Sequence, residues 1–109
     1  MAFDEHMANR IRELLSGESA EEKPMFGGLA FLIGGHMAVA VSGHGGLLVR
    51  VPKEETATLS SRAHVSPMIM GGREITGWLR VAADGVQTKR QLASWVNRGA
   101  SYARTLPAK

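Results

Sequence analysis

No cysteine occurs among the 109 residues. A disulfide framework, a thiolate nucleophile and a cysteine-ligated zinc site are therefore excluded. The absence suits a reducing compartment, and the expected location is cytoplasmic. Long apolar runs are missing as well. The longest apolar region, residues 29–41, is broken by Gly34, Gly35 and His36, whereas a bilayer span takes ~20 apolar residues. No membrane segment is expected. Residues 1–15 carry charges throughout and contain no continuous apolar stretch, so no secretory signal is expected there. Neither sign of charge dominates: 13 Lys and Arg stand against 10 Asp and Glu, a formal charge of +3. That excess keeps a small domain soluble without requiring an anionic partner. It permits a nucleic-acid contact and does not demand one. The length suffices for one domain, 1–109, with one core.

Glycine is abundant, with 13 copies, many in pairs, and this favours tight turns and hairpins over a helical bundle. Phe3, Met7, Ile11, Leu14 and Leu15 recur at helical spacing, and Gly17 is a plausible stop. Residues 17–23 are polar and acidic and read as a loop ended by Pro24. Three strand-like runs follow at 25–33, 36–42 and 47–51. Gly27 and Gly28 sit near the start of the first, and Gly34-Gly35 supplies a two-residue hairpin turn. After Pro52, residues 53–62 predict a short helix, although their Thr and Ser are poor helix formers. A second hairpin joins 67–70 to 73–81 through Gly71-Gly72. Thr88 with Gln91 forms a capping box ahead of Leu92, Trp95, Val96, Gly99, Tyr102 and Ala103. Leu106-Pro107 ends that helix. The order is α-β-β-β-α-β-β-α. It predicts a two-layer α+β fold with a mainly antiparallel sheet of about five strands and helices on one face.

Catalytic patterns are thin. Gly27-Gly28 lacks the Gly-Lys-Ser/Thr ending and the following helix of a phosphate loop, so it reads as a bend where the chain enters the sheet. His6, His36, His44 and His64 show no i, i+4 pair, and no metal site is expected. His36 and His44 flank one strand, eight residues apart, too far to share a ligand. Ser42, Gly43 and His44 are adjacent, which is not triad geometry. Glu21-Glu22 and Glu54-Glu55 read as solvated charges. No cofactor is implied, and an enzyme ranks last among the functional readings.

The sheet offers a more informative pattern. Alternation places Leu48 and Arg50 opposite Leu47, Val49 and Val51, and Trp78 with Arg80 opposite Ile75, Leu79 and Val81. The aliphatic side should pack on the helices. The other side carries Leu48, Arg50, Trp78 and Arg80, with Met68 or Met70. An indole with two guanidinium groups on an otherwise open sheet suits an interface or ligand face. Met37, Val39 and Val41 alternate with Ala38 and Ala40, so neither side of that strand is polar, and the second face is expected to be covered in part by another chain or a ligand. The plainer alternative is that the chain's own loops half bury Trp78 while arginine stems lie over it. Lys89, Arg90, Arg98, Arg104 and Lys109 could meet phosphates. No aromatic residues interleave them for base stacking, and a solvated helix face is the simpler reading.

One succession is more specific. Lys23-Pro24-Met25-Phe26-Gly27-Gly28 is followed by Gly35-His36-Met37, Leu47-Leu48-Val49-Arg50-Val51, Met70-Gly71-Gly72-Arg73, Gly77-Trp78 and a closing Ser101-Tyr102-Ala103-Arg104-Thr105-Leu106-Pro107-Ala108-Lys109. This resembles the TfoX N-terminal domain family over nearly the whole chain. The resemblance implies a two-layer α+β fold in a bacterial cytoplasmic protein. The family's namesake regulates natural competence and carries a second, C-terminal domain, which a chain ending at Lys109 is expected to lack. A stand-alone, non-catalytic binding or regulatory domain is the expected function, acting through an unknown protein partner or as a homodimer. A nucleic-acid-associated regulator is the alternative.

Overall fold

The structure, a computed structural model, describes residues 4–25, 27–43 and 45–107. Phe3, Phe26, His44, Ala108 and Lys109, and the side chain of Met70, lie outside the described residues. Its first helix, α1 (Glu5–Leu14), starts at Asp4, whose Oδ1 accepts the Met7 backbone N–H at 3.1 Å. That bond satisfies one of the donors a helix start leaves open. The buried stripe is Met7, Ala8 and Ile11. The helix ends before Gly17, because Leu15 leaves helical geometry and tucks into the core at 4% exposure.

The polar stretch read as a loop instead enters a strand, β1 (Glu21–Met25), with all five residues exposed. A strand exposed throughout shows no apolar alternation, so periodicity misses it. Strand β1 pairs antiparallel with β2 (Gly28–Ile33), from Glu21↔Leu32 to Met25↔Gly28. The run 25–33 is therefore split: Met25 closes β1, Gly27 turns, and Gly28 opens β2. At Gly28 a Cβ would lie 1.8 Å from the Val41 carbonyl oxygen, so only glycine lets β2 approach β3 (His36–Val41) this closely. The Gly34-Gly35 turn has φ of 61° and 84°, the left-handed pair that a type I′ hairpin requires.

Register against β2 shifts by one residue inside β3: Phe31 pairs with Val39, but Leu32 pairs with Met37. Ala38 is the extra residue of a β-bulge. Strict alternation, which put Met37 beside Val39 and Val41, fails here. Ala38, Val39 and Val41 join the helix-side core, while Met37 turns to the other face with Ala40.

β4 (Leu47–Arg50), β5 (Val65–Met70) and β6 (Arg73–Val81) complete an all-antiparallel sheet in the order β1-β2-β3-β4-β6-β5. It has six strands rather than about five. Each outer strand carries a proline, Pro24 or Pro67, as edges tolerate. Between β4 and β5, a 3-10 turn at Lys53–Glu55 leads into the short α2 (Thr56–Ser60).

The last helix, α3 (Lys89–Thr105), opens on a complete capping box: Thr88 Oγ1 accepts the Gln91 N–H and Gln91 Oε1 accepts the Thr88 N–H, each at 3.0 Å. Helices α1, α2 and α3 lie on one face and share a core with Phe31, Val39, Leu47, Val49 and Leu79. Helix α3 crosses β3 very closely, since a Cβ on Gly99 would meet the Ala38 carbonyl oxygen at 2.4 Å. Charged contacts tie the layers at the surface. Arg12 grips Glu22 of β1 with two bonds of 2.8 Å, and Arg104 of α3 pairs with Glu18.

Candidate functional site

The sheet's second face is built by the pairing registers. One row across it runs Lys23, Ala30, Ala40, Leu48, Arg80 and Ser66. The next, two residues along each strand and three along bulged β3, runs Glu21, Leu32 and Met37, then the pair Arg50 and Trp78, with Met68 beside Trp78. Ala30, Leu32, Met37, Ala40, Leu48 and Met68 form a second apolar cluster, separate from the core, with half-buried Trp78 packed on it. Among the described residues, no helix covers this side.

The four residues singled out from alternation come together here, in two roles. Leu48, 1% exposed, is floor. Arg50, Trp78 and Arg80 are half-buried and stand over it. Arg80 Nη1 donates to Ser42 Oγ at 3.0 Å, and reaching from β6 to the end of β3 carries its stem across β4 above Leu48. Arg50, at the end of β4, reaches both layers. Its guanidinium carbon is 5.6 Å from the centroid of the Trp78 ring and 5.7 Å from that of Tyr102 on α3, within cation–π range of both. Face and helix layer are thus joined through one cation. Sequence reasoning missed Tyr102 and Ser42 as members of this arrangement. Tyr102 sits in the helical repeat of α3 and Ser42 just beyond a strand end, and nothing in their spacing shows that an arginine from another strand reaches each.

The helix side carries a second cation–aromatic cluster. Arg62 and Arg98 lie 5.8 and 5.7 Å from the ring centroid of the nearly buried Trp95. Arg98 also pairs with Glu55 at 3.3 Å, and its Nε is buried with no partner among the described residues. An open groove of about 470 Å³ runs beside it, lined by Pro52, Glu55, Asn97, Arg98, Ser101 and Tyr102 among others. Of the basic residues on α3, Arg98 and Arg104 are thus held by Glu55 and Glu18, while Lys89 and Arg90 remain exposed at its start.

The histidines do not converge. His36 Nε2 is 2.6 Å from the Pro107 carbonyl oxygen, which fastens the end of α3 to the β2–β3 hairpin, and His6 and His64 are exposed. Among the described residues, no three His, Asp or Glu side chains group as metal ligands. The Glu22 carboxyl is held below its ordinary range by the hydrogen bonds from Arg12, on the helix side of β1 rather than on the second face. No helix of the described chain is long and apolar enough to cross a membrane.

One antiparallel sheet with three helices on a single side defines a two-layer α+β domain. The particular family follows from comparison: the model of the TfoX N-terminal domain family matches residues 13–103, and the chain belongs to that family. No protein of curated function and no solved structure matches it.

Proposed function

We propose that this chain is a non-catalytic binding domain with a regulatory role, acting through protein contacts made by the second face of its sheet. The observation that carries this reading is Trp78. It is a half-exposed indole between two arginines, over an apolar floor, on the one side of the sheet to which no helix packs among the described residues. Tryptophan and arginine are the residue types that concentrate binding energy at interfaces. The absence of cysteine suits work in a reducing cytoplasm. The α3 stripe supports a nucleic-acid partner less well, because two of its cations are already paired.

The test compares partners recovered from native lysate by the wild type, by a Trp78→Ser/Arg80→Ser double variant and by an Asn97→Ala/Ser101→Ala variant of the α3 groove. The expected result is loss with the face variant alone, while its far-ultraviolet circular dichroism stays native. A partner lost only with the groove variant moves the binding site to α3 and ends this reading.

A further inference from the structure

The helix layer carries an opening of its own, the groove beside α3. Ser94, Asn97, Ser101 and Thr105 recur along this helix at spacings of three and four, which sets them in one line about 16 Å long. All four are exposed. They form one wall of the groove, and Pro52 and Glu55 form the other. Half-buried Arg98 and Tyr102 also line it. Its volume of about 470 Å³ falls within the ~300–1,000 Å³ of small-molecule sites.

Arg98 sets the charge of a ligand. A guanidinium has five N–H donors, and among the described residues this one meets a single acceptor, Glu55 Oε1, at 3.3 Å. That is long beside the ~2.7–2.9 Å of a good charge-assisted bond. Nε is enclosed without a partner, so the cation is short of acceptors, while 30% of the side chain remains open to solvent. Arg50 adds a second guanidinium, 5.7 Å from the Tyr102 ring. Against the two stands Glu55, and its neighbours Lys53 and Glu54, both exposed, offset each other. The groove therefore favours an anion. The Glu55 carboxylate disfavours a doubly charged phosphate, whereas a singly charged, planar carboxylate matches a guanidinium edge.

The rest of the lining sets the body of the ligand. Ser94, Ser101 and Thr105 hydroxyls and the Asn97 amide each donate and accept, as ligand hydroxyls do. The rings of Pro52 and Tyr102 offer apolar surface to the C–H groups between them. From Arg98 to Thr105 the helix rises about 10 Å, the span of a six-carbon chain with its terminal oxygens. We propose that this groove binds a small hydroxylated carboxylate, of the sugar-acid class, with its carboxylate on the solvent-facing Nη groups of Arg98 and its hydroxyls along the line from Asn97 to Thr105. The site is separate from the second face of the sheet, so it stands or falls independently of the Trp78 partner test.

NMR titration of the whole chain tests it, with gluconate as the probe at constant ionic strength. Sorbitol keeps the hydroxyls without the carboxylate, acetate keeps the carboxylate without the hydroxyls, and inorganic phosphate is the competing anion. Gluconate should shift the Asn97 side-chain amide and the Arg98 Nε–H signals saturably, with about tenfold tighter binding than acetate or phosphate, and sorbitol should shift neither. Arg98→Lys keeps a cation and loses the fork, and should weaken gluconate about tenfold. Ser101→Ala, an exposed change, should weaken it about fivefold. Circular dichroism and an unmoved Trp95 indole signal separate lost binding from lost folding. Overturning results are no saturable shift up to the solubility limit, phosphate or acetate binding as tightly as gluconate, shifts centred away from the groove, or gluconate affinity unchanged in both variants.

Discussion

Replacing Gly99 with alanine should unfasten α3 from the sheet. The added Cβ would lie 2.4 Å from the Ala38 carbonyl oxygen and 3.0 Å from Val39 Cγ1. The first contact falls about 1 Å short of the 3.4 Å at which ordinary contact begins. The obstacle is backbone and cannot swing aside, so the helix must retreat from β3. Leu92, Val96, Ala100 and Ala103 sit on the same buried helix face and retreat with it, and a gap of 0.5–1 Å forfeits a quarter to a half of a contact's dispersion energy. Overpacking of this kind costs about 1–3 kcal/mol, and a rigid carbonyl puts this site at the upper end. Against it stands the helix propensity of alanine over glycine, about 1 kcal/mol in favour of the variant. The net expectation is a loss of about 2 kcal/mol, which for a domain of this size lowers Tm by about 10 °C. Urea denaturation followed by circular dichroism measures it, with Gly17→Ala as control, since a Cβ there meets nothing within 4 Å. If Gly99→Ala proves as stable as the wild type, or more stable by its propensity gain, the close approach of α3 to the bulge is wrong.

Three further outcomes follow from individual contacts. Thr88→Ala removes one arm of the capping box and should cost about 1 kcal/mol, read as a lower urea midpoint with an unchanged slope. The Glu22 carboxyl, held below its ordinary range by Arg12, gives stability that is present above the unfolded carboxylate pKa and lost as pH falls through the folded one. Glu22→Gln should lower neutral-pH stability slightly and flatten the acid limb of the stability profile by the same small amount, because the pair is exposed and surface pairs contribute little. Arg50→Ala removes a cation from two rings at once, a loss of about 1–2 kcal/mol at ~0.5–1 per contact, with the Trp78 indole signal shifting in an NMR spectrum.

Legibility followed periodicity. α3 was readable because its capping box and its apolar repeat agree, and the Gly34-Gly35 turn because a left-handed pair needs glycine. Leu48, Arg50, Trp78 and Arg80 could be placed on one face because β4 and the end of β6 keep their period of two there. Edge strand β1 was not readable, since a strand exposed on both sides has no pattern to show. The side taken by Met37 was not readable either, because a bulge is decided by what two strands and a helix do together. The links from Arg50 to Tyr102 and from Arg80 to Ser42 belong to the same class: each joins residues far apart in the chain.

The bulge at Ala38 also determines where the chain can change length. Removing Ala38 would leave Val39 opposite Phe31 and Met37 opposite Leu32, in the continuous register of a plain antiparallel pair, with each residue keeping its present side. Removing Ala40 instead would turn the residues on one side of the gap inside out, driving apolar side chains to the surface or leaving the core short of them. Along β3, a single-residue deletion is therefore tolerable at the extra alanine and disruptive at the alanine two places on, although the two are chemically identical.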